Sequence, residues 1–176
     1  MRHDDLLAEL RGPPATPTRD AYLRFVGSRG EDALRRNGGD QHVTGSCFVL
    51  SPARDRILLC FHGKGGFWVQ FGGHVEDEDP SLAAAAVREA REESGVAELR
   101  LLGDRIVDLD RHELHGGFSC AAHWDIGYVA LADPATTATA VSEESEDVRW
   151  FPVDALPDTI APGFAQRLAA VLRAAR

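Results

Sequence analysis

Hydrophobic and polar positions along this chain alternate between two periods, one helical and one extended. In the first forty residues the spacing predicts two helical segments. Asp4–Leu10 has Leu6, Leu7 and Leu10 as its apolar positions, and Asp20–Arg36 has Tyr22, Leu23, Phe25, Val26 and Leu34. A Gly-Pro-Pro and Thr-Pro linker separates them, and Gly27 and Gly30 interrupt the second. From Gln41 the pattern becomes extended. QHVTGSCFVLS and RILLCFH flank the turn SPARD as a predicted hairpin, and FWVQFGG follows a GKGG turn as a short strand. The helical period returns after Asp79, a good N-cap, with Pro80 suited to a first turn and Gly95 to a left-handed stop. Beyond it AELRLLGDRIVDL predicts a strand or a bent strand pair. HGGFSCAAHWDIGYVALA predicts a long strand, DPATTATAVSEESED a loop and VRWFPV another strand. A last helix opens at Pro162 or Gly163 and runs to Arg176. Strands on both sides of one central helix, with a C-terminal helix, make an α/β domain.

Length and charge narrow this picture. At 176 residues the chain is expected to form one domain with a substantial core. Residues 1–40 read as a helical extension to a domain over 41–176, packed on that domain or on a second subunit. A formal net charge of −9 disfavours binding to a nucleic-acid polymer or an anionic membrane. Cys47, Cys60 and Cys120 lie in apolar surroundings without CxxC or zinc spacing, and read as buried thiols of a reducing compartment. MRHDDLLAELRG has no apolar signal core, and the longest apolar run, Ile57–Phe61, is too short to span a bilayer. A cytoplasmic location is expected.

The central helix carries the candidate chemistry. At about 100° per residue, Glu89, Glu92 and Glu93 share one face, and Arg88 sits one turn before Glu92, close enough to hold its carboxylate. Ala83, Val87, Ala90 and Ser94 form a small-residue face able to approach a sheet closely. Acidic helix faces are usually just solvated. Three converging carboxylates, however, suit a hard divalent cation such as Mg²⁺, which takes oxygen ligands and retains waters.

The stretch from Gly72 to Val96, GGHVEDEDPSLAAAAVREAREESGV, resembles the Nudix box, G-x5-E-x7-R-E-U-x-E-E-x-G-U with U aliphatic. REAREESGV matches its second half. In the first half Asp79 stands where the pattern has Glu, and the loop to Arg88 is one residue longer. The resemblance implies the Nudix fold, a mixed sheet in an α/β/α sandwich. It also implies a Mg²⁺-dependent hydrolase, with Mn²⁺ as a substitute, of a diphosphate linked to another group X. A nucleotide is the commonest substrate class, and homodimers are common in the fold. By resemblance Glu92 and Glu93 are metal ligands, Glu89 is a ligand or the base that activates water, the Gly73 carbonyl is a backbone ligand, and Arg88 orients the glutamates. A late-loop carboxylate often joins such sites. Within SEESED, Glu144 is the first choice and Glu143 the second, the other reading being a solvated loop.

Several further residues are candidates for substrate contact. His74 lies inside the acidic loop, and His123 and Asp125, two apart, face one side of a strand, as cleft residues or as a structural pair. Lys64, the only lysine, is placed to meet a phosphate unless it is simply solvated. Trp68 and Phe71 are candidates to stack on a base, at least one of them belonging instead to the core. Two rival functions are a non-catalytic nucleotide-binding module and a prenyl diphosphate isomerase, which shares the fold. The intact REAREE argues against both, and Cys47 lacks the sequence context of the isomerases.

Overall fold

The computed structural model describes residues 1–114, 120–137, 139–140 and 145–175. Its helices are α1 (His3–Leu10), α2 (Pro17–Arg29), α3 (Leu82–Ser94) and α4 (Phe164–Ala174), with a 3₁₀ turn over Gly30–Leu34. Its strands are β1 (Gln41–Leu50), β2 (Arg56–His62), β3 (Phe67–Val69), β4 (Phe71–His74), β5 (Arg100–Leu101), β6 (Asp108–Glu113), β7 (Ala122–Leu131) and β8 (Ser145–Pro152).

β1 organises the sheet. One edge pairs in parallel with β7, from Gln41 opposite Ala122 to Leu50 opposite Leu131. The other edge is shared, β4 pairing antiparallel with Thr44–Cys47 and β2 with Val49 and Leu50. β7 divides its far edge between β6 and β5, while β2 carries β3 and β8. The expected strand FWVQFGG is therefore two strands. The chain changes partner at Gln70, whose buried side-chain amide donates to Asp125.

Alternation along β1 and β7 separates two cores. Val43, Cys47, Ile126 and Tyr128 face α1, α2 and α3, whereas Phe48, Leu50, Val129 and Leu131 face Phe164, Leu168 and Val171 of α4. This is the mixed α/β/α sandwich. The small-residue face of α3 meets the sheet as its composition predicts, with Ala83, Val87, Ala90 and Ser94 all buried. Gly45 permits the approach, since a Cβ there would lie 3.2 Å from Leu82 and 3.4 Å from Ala86.

The helical extension packs on this chain's own sheet. Leu6, Leu10, Tyr22 and Val26 are fully buried. Tyr22 donates to the Asp125 carbonyl at 2.8 Å and meets Trp124 edge-on, while Phe25 stacks on Trp124 at 4.4 Å. α2 begins before Asp20 because Thr16 caps it, accepting from the Arg19 N–H, with Pro17 in the first turn. It stops at Gly30, where φ is 58°. Among the described residues no helix is long and apolar enough to cross a membrane.

Candidate active site

α3 is capped by Ser81, whose hydroxyl accepts from the Ala84 N–H at 3.1 Å, and closed by Gly95 at φ 70°. The expected cap Asp79 has another role. Its carboxylate accepts from Arg88 Nε and Nη2 at 3.1 and 2.9 Å and from the Glu76 N–H at 2.9 Å. Asp79 thereby ties the acidic loop to the helix, and the longer loop places Ser81 where the cap is needed.

Arg88 is the hub of the cluster. Besides Asp79 it donates to Glu89 Oε1 at 3.0 Å, Glu92 Oε2 at 3.2 Å and the His74 carbonyl at 2.9 Å. The Glu92 contact is the i,i+4 pair expected from the sequence. The hydrogen bonds of Arg88 to Asp79, foremost, and to Glu89 raise its pKa further, so the guanidinium is a fixed charge. Burial alone would raise the Asp79 pKa. Its hydrogen bonds from Arg88 and Glu76 outweigh that and hold it below the ordinary carboxylate value.

Two glutamates close on β4. The Glu89 carboxylate lies over Gly73, where a Cβ would stand 2.5 Å from its carboxyl carbon. Glu93 Oε2 accepts from the Gly72 N–H at 3.2 Å. Gly72 is fixed by packing, since a Cβ there would lie 2.8 Å from the Gly45 carbonyl oxygen and from Ser46 Cα. The resemblance assigns Glu89, Glu92, Glu93 and the Gly73 carbonyl to a divalent cation, an all-oxygen set of the kind that suits Mg²⁺, and the space above Gly73 admits the Glu89 carboxylate only because no side chain is there.

The remaining candidates are dispersed. Glu143 and Glu144 lie outside the described residues. Lys64 is exposed on the β2–β3 turn. Trp68 is buried on the α4 side between Phe61 and Phe151, and Phe71 is fully buried on the α3 side, so both pack the core. Asp125 is enclosed beneath α4. It accepts from the Thr44 and Ser46 hydroxyls at 2.9 and 2.6 Å, with Arg167 at 3.5 Å. Arg167 also pairs with Asp108 and Asp110, which makes Asp125 part of a buried ionic network.

His74 and His123 belong to a second polar cluster, on the sheet face opposite α3. With His42 they form a triangle of rings, centroids 4.8, 5.0 and 5.2 Å apart. Cys120 joins them, and the four side chains offer ligand atoms that all lie within 4.8 Å of one another. Burial holds His74 down to about 4 and His123 to about 3, and lowers His42 as well, so all three rings are neutral. His112 behaves oppositely, its hydrogen bond with Asp110 raising its pKa. Sequence spacing could not reveal this cluster, because its members come from β1, β4, β7 and the residues before β7. The parallel pairing of His42 with His123 brings them together.

The NUDIX domain model matches residues 40–172. No curated protein matches the chain. Among solved structures, a NUDIX-family hydrolase from Clostridium perfringens is 22% identical with a TM-score of 0.58, over 76% of this chain and 95% of that one. A MutT NUDIX hydrolase from Burkholderia pseudomallei is 22% identical with a TM-score of 0.56, over 76% and 99%. A C. elegans Ap4A hydrolase is 16% identical with a TM-score of 0.59, over 73% and 93%. A family match across most of the chain, on an α/β/α sandwich that carries the glutamate helix against its glycine strand, makes this protein a member of the Nudix family.

Proposed function

We propose that the protein is a Mg²⁺-dependent pyrophosphohydrolase. It cleaves the phosphoanhydride of a nucleoside diphosphate linked to a further group X, by attack of water on phosphorus. The observation that supports this most directly is the Arg88-centred cluster, in which one guanidinium fixes Asp79, Glu89 and Glu92 while Glu89 and Glu93 lie against the Gly72-Gly73 backbone. Glu89, Glu92, Glu93 and the Gly73 carbonyl would hold the ion. When bound, Mg²⁺ or Mn²⁺ neutralises the diphosphate oxygens and acidifies a water.

The chain's own residues do the rest. Arg88 restrains the glutamates, so their orientation is set before substrate arrives. Glu89 is more enclosed than Glu92, its side chain 17% exposed against 59%, and is suited to accept the proton of the attacking water. Glu92 and Glu93 serve as ligands. Lys64 is the candidate for contact with substrate, His74 being turned to the opposite face of the sheet, and a cytoplasmic nucleotide is the substrate class the reading favours. Isomerase chemistry at Cys47 finds no support, since burial pushes that thiol up to about 12 within the α3-side core.

The test is hydrolysis of a panel of nucleoside triphosphates, nucleotide sugars, ADP-ribose, NADH, diadenosine polyphosphates and prenyl diphosphates, with Mg²⁺ or Mn²⁺. Glu92→Gln and Glu93→Gln are assayed beside the wild type. Metal-dependent cleavage of one compound, reduced by about 10²-fold or more in both variants, is expected. Tight nucleotide binding without cleavage under either metal would refute the hydrolase and leave a binding module.

A further inference from the structure

We propose that His42, His74, Cys120 and His123 form a tetrahedral transition-metal site, with Zn²⁺ as its natural occupant, on the sheet face opposite the glutamate helix. The donors decide the class of ion. Three imidazoles and a thiol are intermediate-to-soft ligands that suit Zn²⁺ and are foreign to Mg²⁺. This site is therefore separate in chemistry from the carboxylate cluster, as well as in place.

Geometry supports four ligands on one ion. At Zn–N distances of about 2.0–2.1 Å and tetrahedral angles, three coordinated imidazole rings have centroids about 5.2 Å apart. The three rings here are 4.8, 5.0 and 5.2 Å apart, already at that separation. The ligand atoms themselves, within 4.8 Å of one another, need to draw in by roughly 1 Å to reach the ~3.3–3.6 Å edge of a Zn²⁺ tetrahedron. Small ring and thiol rotations suffice for that.

Hydrogen bonding gives an independent reason. His42 is fully buried, yet neither of its ring nitrogens has a partner, and Nε2 of His74 and Nε2 of His123 are likewise buried and unpartnered. Three neighbouring imidazoles with unsatisfied nitrogens are unusual in a folded interior, where buried polar groups find partners. A cation among them satisfies one nitrogen of each ring at once.

The position of the ligands states what the ion would do. His42 lies on β1, His74 at the end of β4, His123 on β7 and Cys120 just before β7. One ion would clip three adjacent strands and the segment leading into β7. Four protein ligands leave no open coordination position, so the role is structural. His74 directly follows Gly73, and alternate residues of a strand face opposite sides. The clip would therefore fix the strand end whose other face receives Glu89.

The experiment uses the full chain, stripped with chelator and reloaded with Zn²⁺ or Co²⁺ alone. One equivalent per chain is expected to bind. Co²⁺ should give the strong visible bands of a tetrahedral complex and a near-ultraviolet thiolate charge-transfer band. Cys120→Ser should lose the charge-transfer band, and Cys120→Ser and His123→Asn should each weaken Zn²⁺ binding by at least about tenfold, since even residues outside the first coordination sphere cost 10–100-fold. Glu92→Gln should keep the whole Co²⁺ spectrum, which separates this site from the carboxylates. Weak octahedral bands alone in the wild type, or a charge-transfer band that survives Cys120→Ser, would overturn the proposal. The wild-type spectrum decides the matter even if a variant fails to fold.

Discussion

Substituting Gly73 by alanine isolates the geometry of the glutamate cluster from the stability of the fold. The new Cβ would lie 2.5 Å from the Glu89 carboxyl carbon and 2.6 and 2.7 Å from its oxygens. Ordinary contact begins near 3.4 Å, so the carboxylate must retreat by roughly 1 Å. It is the end of a flexible side chain and can do so cheaply, at the expense of the 3.0 Å bond to Arg88. Gly73 has no left-handed φ, and alanine in its place restricts the unfolded chain, so stability should stay within about 1 kcal/mol of wild type. Activity should not stay. A misplacement of about 1 Å costs on the order of 10²-fold in rate, equivalent to about 2.7 kcal/mol of activation free energy. Turnover with Mg²⁺ and Mn²⁺ affinity by electron paramagnetic resonance measure the loss, and thermal unfolding measures stability. Gly72→Ala is the control, because its Cβ would press at 2.8 Å on the Gly45 and Ser46 backbone, which cannot yield. That variant should lose about 1–3 kcal/mol of stability. A Gly73→Ala protein with wild-type turnover and Mn²⁺ affinity would refute the placement of Glu89 in the reaction.

Other perturbations test the surrounding electrostatics. Asp79→Asn should cost about 2 kcal/mol at pH 7, the scale of hydrogen bonds to charged groups, as read by urea denaturation. The folded pKa of Asp79 lies below its ordinary value, so its contribution is present above about pH 4 and disappears as pH falls through the folded value. The variant should therefore show a flatter loss of stability on the acid side, and an unchanged acid limb would contradict the ion pair. Arg167→Ala leaves Asp108 and Asp125 buried beside each other without their cation and should cost about 3–5 kcal/mol. Burial already raises the Asp125 pKa and Arg167 opposes that rise, so in the variant stability should fall as pH rises above the ordinary carboxylate range. A pH-independent deficit would assign the loss to packing instead.

The elements were legible in the sequence wherever local chemistry sets them. REAREESGV displays its acidic and small-residue faces without reference to the rest of the chain, and both faces lie where the periodicity puts them. Helix ends were less legible because capping groups compete. Asp79 and Ser81 are both good caps, and only the tertiary position of Arg88 decides that Asp79 is drawn away. The break at Gln70 depends on which strand each half of FWVQFGG pairs with, a long-range matter that alternation cannot express. Position along the strands left Trp68 and Asp125 open as cleft or as structural residues. Their burial follows from α4 covering that face of the sheet, and the sequence states the helix but not which face it covers. Cys120 read as a buried thiol because metal spacing was sought along the chain, whereas strand pairing gathers its neighbours.

Gly73 and His74 show why the two proposed sites need not interfere. Consecutive residues of β4 face opposite sides of the sheet. Gly73, lacking a side chain, opens one side to an oxygen donor set, while His74 delivers a nitrogen to the other, where no carboxylate is among the four gathered ligands. Because each ion would be selected by donors of its own class, Mg²⁺ loses nothing to the imidazoles and Zn²⁺ finds only imidazole nitrogens and a cysteine sulfur. The strand that joins them is short and ends at His74, beyond which the acidic loop begins. Arg88 already binds that end through the His74 carbonyl at 2.9 Å. A metal on the His74 ring would grip the same residue from the opposite face, leaving the Gly73 carbonyl little freedom to drift from Glu89. Removing the clip should then loosen the strand that carries Gly73 without touching a single glutamate.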